Sequence, residues 1–295
     1  MSQSLADVLP GYWGGNGLKV WLKSSAYTRR LLLGEGGDPW LSGAQFLAYF
    51  SQAQGLLRPD VAVVEVGELF DSWLVRHPEV RTEMGSKKRL SFPLRKLLEQ
   101  EEPRLLLAEI VEAVLANLRG QTPLVLAMPS PKHWLYHANE LAGRTDIELD
   151  PDGIEDAAMY MADLIRSVSA HPVGGILLEE HPNDASMGET DIERYRPLIN
   201  VTRHYRWSIA LRPQGDAVLA SPALADFDAV ISPTVRVPVP ASTGRDVGSV
   251  LWRGEALPAL ETGQFYFAEI PAGQQPESVL ENLARLRASP PGQAA

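Results

Sequence analysis

Gly174-Gly175-Ile176-Leu177-Leu178-Glu179-Glu180-His181 is the stretch of this sequence that decides the fold. Its first part is a short apolar run, which is typical of a strand buried on both faces in a parallel sheet covered by helices. Two carboxylates and an imidazole follow at the carboxyl end of that run, where ligands bind in folds of this class. The stretch therefore predicts both a parallel sheet and a functional site at one edge of it.

The alternation of strand-like and helix-like segments continues along almost the whole chain. The predicted strands are Leu18–Leu22, Val61–Glu65, Leu124–Met128, Gly175–Glu179, Trp207–Arg212, Ala229–Ser232, Ser249–Trp252 and Phe265–Glu269. Helical spacing separates most of them, and Lys87–Leu94 is predicted to be an extended excursion. This pattern predicts a (β/α)8 barrel as a single domain over residues 1–295, and an open doubly wound sheet is the alternative. Residues 1–17 would form an N-terminal extension and residues 289–295 a flexible tail.

Composition narrows the class of protein. The chain has 295 residues, a formal net charge of −10 and no cysteine. The acidic balance disfavours a nucleic-acid binder, and the lack of cysteine excludes disulfides, thiolate–zinc sites and cysteine nucleophiles. No signal peptide is visible, and no apolar run approaches the ~20 residues of a membrane span. We therefore expect a cytoplasmic protein that acts on a small molecule, with neither a membrane nor a nucleic acid as partner.

Several segments resemble the uroporphyrinogen decarboxylase family. Glu109–Gly143 (EIVEAVLANLRGQTPLVLAMPSPKHWLYHANELAG) is similar to a central helix, strand and aromatic-rich helix of that family. Asp156–Glu180 resembles the helix and strand that follow, and Phe265–Leu286 resembles the closing strand and helix. The similarity is collinear over residues 18–288 and extends to the superfamily shared with cobalamin-independent methionine synthase. It implies a (β/α)8 barrel, and the family's common dimers suggest a homodimer, although the oligomeric state stays open.

Departures from that family bear on function. The family's two N-terminal arginines, which hold substrate carboxylates, have no secure counterpart at Lys23 and Ser24–Ala26. Its essential aspartate falls at Glu65–Gly67, where no aspartate stands, and Glu269 or Ile270 takes the place of its closing histidine. Uroporphyrinogen is therefore not the expected substrate. The methyltransferase branch binds zinc through histidine and cysteines, which a chain without cysteine cannot do. The resemblance thus implies a fold and leaves the chemistry to be argued from the site.

Candidate site residues are the polar side chains at the predicted strand ends. For proton transfer, the candidates are Glu179, Glu180, His133 and Tyr136; for substrate binding, they are Arg212, Lys23, Glu65 and Glu269. Further polar residues at these ends are Glu68, Asp71, Ser130, Lys132, His137, His181, Thr234, Arg236 and Arg253.

Two of these positions allow a sharper expectation. Glu179 and Glu180 point to opposite faces of a strand, so at most one faces the barrel axis, where burial would raise its pKa and suit it to acid or base catalysis. Arg212 ends an apolar strand, where a charge needs an anion. It would bind a substrate carboxylate or pair with Glu179 or Glu180 on the adjacent strand.

Together these residues predict a lyase that decarboxylates a small carboxylated substrate by acid and base catalysis, with no organic cofactor and no metal. One alternative is a methyl or other group transferase of the same superfamily, with a metal held by carboxylates and histidines. The other alternative is a barrel retained as a non-catalytic binding or partner subunit. The sequence does not name the substrate.

Overall fold

The computed structural model describes residues 4–10, 17–181, 188–213, 222–233 and 242–288. Its eight strands form one parallel sheet. The strands are β1 (Val20–Lys23), β2 (Ala62–Glu65), β3 (Leu124–Pro129), β4 (Gly175–Glu179), β5 (Ser208–Arg212), β6 (Ala229–Ser232), β7 (Ser242–Asp246) and β8 (Gln264–Glu269). The predicted tail, residues 289–295, lies outside the described residues, as do residues 1–3 and 11–16 of the predicted extension.

Helices separate most of the strands. The helices are α1 (Ser25–Leu33), α2 (Gly43–Leu57), α3 (Val66–Val75), α4 (Pro78–Met84), α5 (Ser91–Leu98), α6 (Glu101–Leu118), α7 (Pro131–Leu141), α8 (Pro151–Arg166), α9 (Glu189–Glu193), α10 (Arg196–Tyr205), α11 (Gly248–Trp252) and α12 (Pro276–Ala288). Short 3₁₀ turns lie at Pro39–Leu41 and Pro222–Asp226. None of the helices in these ranges is long and apolar enough to cross a membrane.

The order of the strands confirms the predicted (β/α)8 barrel. Hydrogen-bonded neighbours run β1-β8-β7-β6-β5-β4-β3-β2, so consecutive strands lie side by side around the barrel. A doubly wound sheet would instead reverse its strand order at a switch point. The strands β1 and β2 stand at the two ends of this order and are not hydrogen-bonded to each other, so the barrel is nearly but not fully closed.

Both faces of the strands are buried, which explains their apolar sequences. Inward-facing side chains form one interior cluster, in which Trp21 stacks on Phe265 and meets Phe267 edge-on, with ring centroids 6.2 and 6.1 Å apart. Outward-facing side chains such as Ile176 and Leu178 pack against the surrounding helices. The interior is therefore a packed apolar core, as expected for a barrel of eight strands.

The N-terminal segment closes one end of the barrel. Leu5 and Leu9 belong to the interior cluster. The backbone N–H of Leu5 donates to the carbonyl of Gly174 at 3.1 Å, and that of Ala6 donates to Ser208 Oγ at 3.0 Å. These contacts lie at the amino ends of β4 and β5, so the carboxyl ends of the strands form the opposite end of the barrel.

Two segment predictions were wrong. Ser249–Trp252 was predicted as a strand but lies in α11, and the seventh strand is Ser242–Asp246. That strand (STGRD) escaped detection because its interior positions are a glycine and an ion-paired aspartate, not apolar residues. Lys87–Leu94 is not extended, because α5 begins at Ser91 with Pro93 in its first turn, where proline is tolerated.

We expect Gly244→Ala to lower the free energy of unfolding by about 1–3 kcal/mol, because a Cβ there would overpack the barrel interior. That atom would lie 2.8 Å from both Ile231 Cγ1 and Phe265 Cζ. The control is Gly55→Ala in α2, where the added Cβ meets nothing within 4 Å apart from its chain neighbours and the backbone of its own helix. It should raise stability by about 0.5–1 kcal/mol through helix propensity. Urea unfolding measures both, and equal effects would contradict this account.

Candidate functional site

Six strands deliver charged side chains to the carboxyl end of the barrel. These side chains, here called the mouth cluster, are Lys23, Glu65, Glu179, Arg212, Asp246 and Glu269. They come from β1, β2, β4, β5, β7 and β8 in that order. The cluster therefore includes both predicted cations and three of the predicted glutamates at the end of the barrel where (β/α)8 enzymes act.

Glu179 links the two cations of the mouth cluster. Its Oε2 lies 2.5 Å from Lys23 Nζ, and its Oε1 lies 2.9 Å from Arg212 Nη1. Burial alone would raise the pKa of Glu179, but the two neighbouring cations outweigh it and hold the pKa below its ordinary value. The carboxylates around Lys23, namely Glu65, Glu179 and Glu269, raise the pKa of Lys23 in spite of its burial. Glu179 and Lys23 are therefore a permanently charged pair at neutral pH.

Arg212 is held by three carboxylates. Its Nη1 also donates to Glu269 Oε2 at 2.6 Å, and its Nη2 and Nε donate to Asp246 Oδ2 at 2.9 and 3.1 Å. The guanidinium carbon lies 4.6 Å from the centroid of the Phe267 ring. Of the two alternatives that the sequence left open, the structure shows the ion pair with Glu179. Each guanidinium nitrogen already donates to a carboxylate of the protein.

Glu65 differs from Glu179 in its electrostatic environment. It is 7% exposed, and burial raises its pKa to about 7, against the opposing effect of Lys23 and with a further increase from Glu179. Lys23 Nζ lies 3.5 Å from its Oε2, and Ser25 Oγ donates to its Oε1 at 2.9 Å. A carboxyl that changes protonation near neutral pH is suited to general acid or base catalysis.

Glu180 lies on the other side of β4 from Glu179, as the alternation of side chains along a strand requires. It is 1% exposed and accepts hydrogen bonds from Ser130 Oγ at 2.7 Å and Tyr195 OH at 2.6 Å. Burial and the nearby Glu180 raise the pKa of Tyr195 well above its ordinary value. Ser130 also accepts from the backbone N–H of His133 and so caps α7. Glu180 thus joins β4 to the helices outside the barrel.

His133, Tyr136 and His181 form a small aromatic cluster next to the end of β4. The ring of His133 lies 4.9 Å from that of His181, which lies 5.8 Å from that of Tyr136. His133 Nδ1 is 3.0 Å from the backbone carbonyl oxygen of Glu179, and burial lowers the pKa of His133. The predicted residues His133 and Tyr136 therefore flank the mouth cluster, and His133 contacts its backbone.

Several of the remaining polar candidates contact an oppositely charged or titratable partner. Glu68 pairs with Arg29 at 2.6 Å, His137 contacts Asp71 at 3.0 Å, and Lys132 pairs with Asp191 at 2.9 Å. Arg253 follows α11 and pairs with Glu255, so its predicted place at a strand end was wrong. Thr234 and Arg236 lie outside the described residues. Within the described ranges, no group of three or more His, Asp or Glu side chains could hold a metal ion.

Sequence reasoning missed two contributors to the site, Asp246 and Ser25. Asp246 was missed because β7 was placed too late in the chain, at Ser249–Trp252. The signal that could have located β7 is the two-residue spacing of Gly244 and Asp246, which places both on the same face of a strand between Ser232 and Phe265. Ser25 begins α1 directly after β1, so its position follows once that strand is known to end at Lys23.

Comparison with known proteins supports the fold. No family model matches this sequence, and no curated protein does so either. The chain is similar to the solved structure of a methyltransferase from Methanosarcina mazei, with a TM-score of 0.63 and 14% sequence identity. The match covers 97% of this chain and 98% of that one. At this identity the likeness shows a shared fold, and membership of the uroporphyrinogen decarboxylase family stays a prediction.

We expect Lys23→Met to lower the free energy of unfolding by about 3–5 kcal/mol, because it leaves the buried Glu65 without its cation and removes one of the two cations of Glu179. The control is Arg30→Met, which breaks an exposed pair with Glu35 and should cost about 0–1 kcal/mol. Urea unfolding at pH 7 measures both. Adding Glu179→Gln to Lys23→Met should regain part of the loss, and no gain would argue against a coupled pair.

Glu65 should make stability depend on pH. Its folded pKa of about 7 lies above the ordinary 4.5, so the native protein binds this proton more tightly than the unfolded chain does. The stability that it contributes is full below pH 4.5 and is lost as the pH rises to about 7. Glu65→Gln removes this loss, so the stability of the variant relative to the wild type should increase over that range. Urea unfolding at a series of pH values tests this, and a constant difference would contradict it.

Proposed function

We propose that this protein is an enzyme that transfers a small group, such as a methyl group, between two small molecules at the mouth of its barrel. In this proposal Glu65 is the general base. The observation that carries it is the buried Glu65 carboxyl, whose pKa is raised to about 7 beside Lys23 at the carboxyl ends of the strands. A base of this kind works best when its pKa lies near the operating pH.

The proposed reaction is a displacement at carbon. A protic acceptor, written X–H, attacks the carbon of the group to be transferred, and the new X–C bond forms as the bond to the leaving atom breaks. The electron pair of the broken bond stays on the leaving atom, and the proton of X–H passes to Glu65. Glu65 then returns to its carboxylate form by giving that proton to the leaving group or to water.

The charge of the mouth cluster favours a neutral or cationic group donor. The cluster contains four carboxylates and two cations, so its net charge is −2 with Glu65 ionised and −1 with Glu65 protonated. A positively charged donor is attracted to such a site, and its positive charge makes the group easier to transfer. Lys23 and Arg212 remain charged, because ion pairing raises the pKa of each.

The structural likeness supports the kind of reaction by analogy. The solved structure that this chain resembles over nearly its whole length is described as a methyltransferase. Function does not follow from fold, so the likeness adds to the argument from Glu65 without replacing it. Among the functions that the sequence left open, group transfer is the one that both observations favour.

The decarboxylase-like lyase predicted from the sequence fits the mouth cluster less well. That prediction assigned Arg212 or Lys23 to a substrate carboxylate, but both cations already contact carboxylates of the protein. A carboxylated substrate would add a further negative charge to a cluster with an excess of carboxylates. We therefore rank the lyase below group transfer, and the same assay can separate the two.

The test is an assay with deuterium-labelled methyl donors, both sulfonium and quaternary ammonium compounds, and with thiol acceptors, followed by mass spectrometry. Where transfer is found, Glu65→Gln should lower kcat about 10²–10⁴-fold, because the base is lost. In the wild type kcat/KM should rise with pH through about 7, and this rise should be absent in the variant. The control is Glu155→Gln, at a surface ion pair with Arg194, which should leave the rates unchanged.

Two outcomes would overturn the proposal. The first is methyl transfer that Glu65→Gln does not slow, which would remove Glu65 from the reaction. The second is the release of CO2 from a panel of small carboxylic acids with no transfer from any methyl donor, which would favour the lyase. A thermal-shift measurement with the same compounds identifies a purely binding barrel, since it would be stabilised by ligand without turnover.

A further inference from the structure

A cavity lies beside the two strands that end the hydrogen-bonded order of the barrel. It extends between β1 and β2 on one side and α1 and α2 on the other, and its volume is about 40 Å³. Because one water molecule needs roughly 10–15 Å³ of such volume, the cavity has room for about three. Glu65 forms part of its wall.

The wall next to Glu65 carries a series of hydroxyl groups. Ser25 Oγ donates to Glu65 Oε1 at 2.9 Å. Tyr49 OH lies 2.7 Å from Thr28 Oγ1 and donates to the backbone carbonyl of Ser25 at 3.1 Å. All of these residues line the cavity. A polar cavity of this size with several donors and acceptors meets the conditions for internal water.

Trp40 provides an independent indication. It lines the cavity and is 3% exposed, with its ring stacked on Phe46 at 4.5 Å. Its indole Nε1–H is buried and has no hydrogen-bond partner among the described residues. Buried N–H groups in folded proteins nearly always have a partner, either protein or ordered water. A water molecule in the cavity would provide the acceptor that the Trp40 indole lacks among the described residues.

The cavity also reaches residues that contact solvent. Its wall includes the Arg29–Glu68 ion pair, whose side chains are about one-third exposed. It also includes Gln54 and Pro59, which are partly exposed. Glu65 itself is almost fully buried within the mouth cluster. The lining of the cavity thus includes both a buried carboxyl and side chains that contact solvent.

We propose that this cavity binds water and that its water, together with the Ser25 hydroxyl, carries protons between Glu65 and solvent. Ser25 gives its hydroxyl proton to Glu65 Oε1 and takes a proton from an adjacent water. That water is reprotonated by the next one, and the last water takes its proton from solvent. The reverse sequence removes a proton from Glu65. Tyr49 and Thr28 are positioning residues that hold the water through their hydroxyl groups. The relay would serve the transfer reaction proposed above, although its presence does not depend on that reaction.

The first test detects the water directly. In the ¹⁵N-labelled protein, the Trp40 indole signal is assigned by its loss in Trp40→Phe, and its contact with water is measured by nuclear Overhauser and rotating-frame experiments. We expect a cross-peak between the Trp40 indole proton and a bound water. The control is Trp134, whose indole is also buried without a partner among the described residues but packs in the apolar cluster around the helices. No contact with water at Trp40 would overturn the proposal.

The second test removes the water. Ala53 lines the cavity on α2, so Ala53→Leu fills it with methyl groups, whereas Ala48→Leu adds the same side chain at an exposed position of that helix. We expect Ala53→Leu to abolish the Trp40 cross-peak and to raise the midpoint of the Glu65 titration, followed by ¹³C NMR, by about one pH unit. Ala48→Leu should change neither. Tyr49→Phe, which removes a hydroxyl without adding bulk, is the second variant and should raise the midpoint in the same direction.

An unchanged Glu65 titration in both Ala53→Leu and Tyr49→Phe would overturn the proposal. Neither measurement uses a substrate, so the failure of the relay and the failure of the transfer reaction are distinguishable. A Trp40 cross-peak without any methyl transfer would keep the hydrated cavity and reject the reaction. Methyl transfer without a Trp40 cross-peak would keep the reaction and reject the hydrated cavity.

Discussion

The need to pair buried charges at the mouth of the barrel governs this structure. Removing a charge from water is costly unless an opposite charge meets it in good geometry, and Lys23 and Arg212 meet this condition on either side of Glu179. The pairing ties strands together in a fixed register, with Lys23 opposite Glu269 and Glu179 opposite Arg212. A slip of one residue in any of these strands would turn its charge toward the helices and an apolar side chain toward the mouth.

The same pairing also spans the gap at which the barrel lacks a ladder. The strands β1 and β2 end the hydrogen-bonded order, but Lys23 lies 3.5 Å from Glu65 across this gap, and Ser25 donates to the same carboxylate. Glu65 therefore helps to close the barrel between β1 and β2, and it is also the proposed general base of the site. The aromatic interior below it keeps the surroundings apolar, and this desolvation raises its pKa while Glu179, between two cations, stays ionised.

Sequence patterns predicted the parts of this fold that depend on local information. Gly175–Glu179 and Ala229–Ser232 were predicted with the bounds that the structure shows, because both are apolar runs ended by polar residues. The strand Ser242–Asp246 was not, because its interior positions depend on neighbours far away in sequence. Alternation predicted that at most one of Glu179 and Glu180 faces inward, but to say which one required the register. The contacts of Arg212 with Asp246 and Glu269 could not be predicted from local sequence either, because these residues lie 34 and 57 positions away along the chain.

Charge balance links protonation of Glu65 to what the site can bind. Lys23, Arg212 and Glu179 keep their charges near neutral pH, because each is held by its partners. Loss of the Glu65 proton then makes the cluster more negative by one charge, which strengthens the attraction for a cation. By reciprocity a bound cation lowers the pKa of Glu65 and a bound anion raises it. In the proposed reaction a cationic donor would therefore favour the ionised Glu65 that base catalysis requires, whereas a carboxylate would favour the protonated form and suppress the same base.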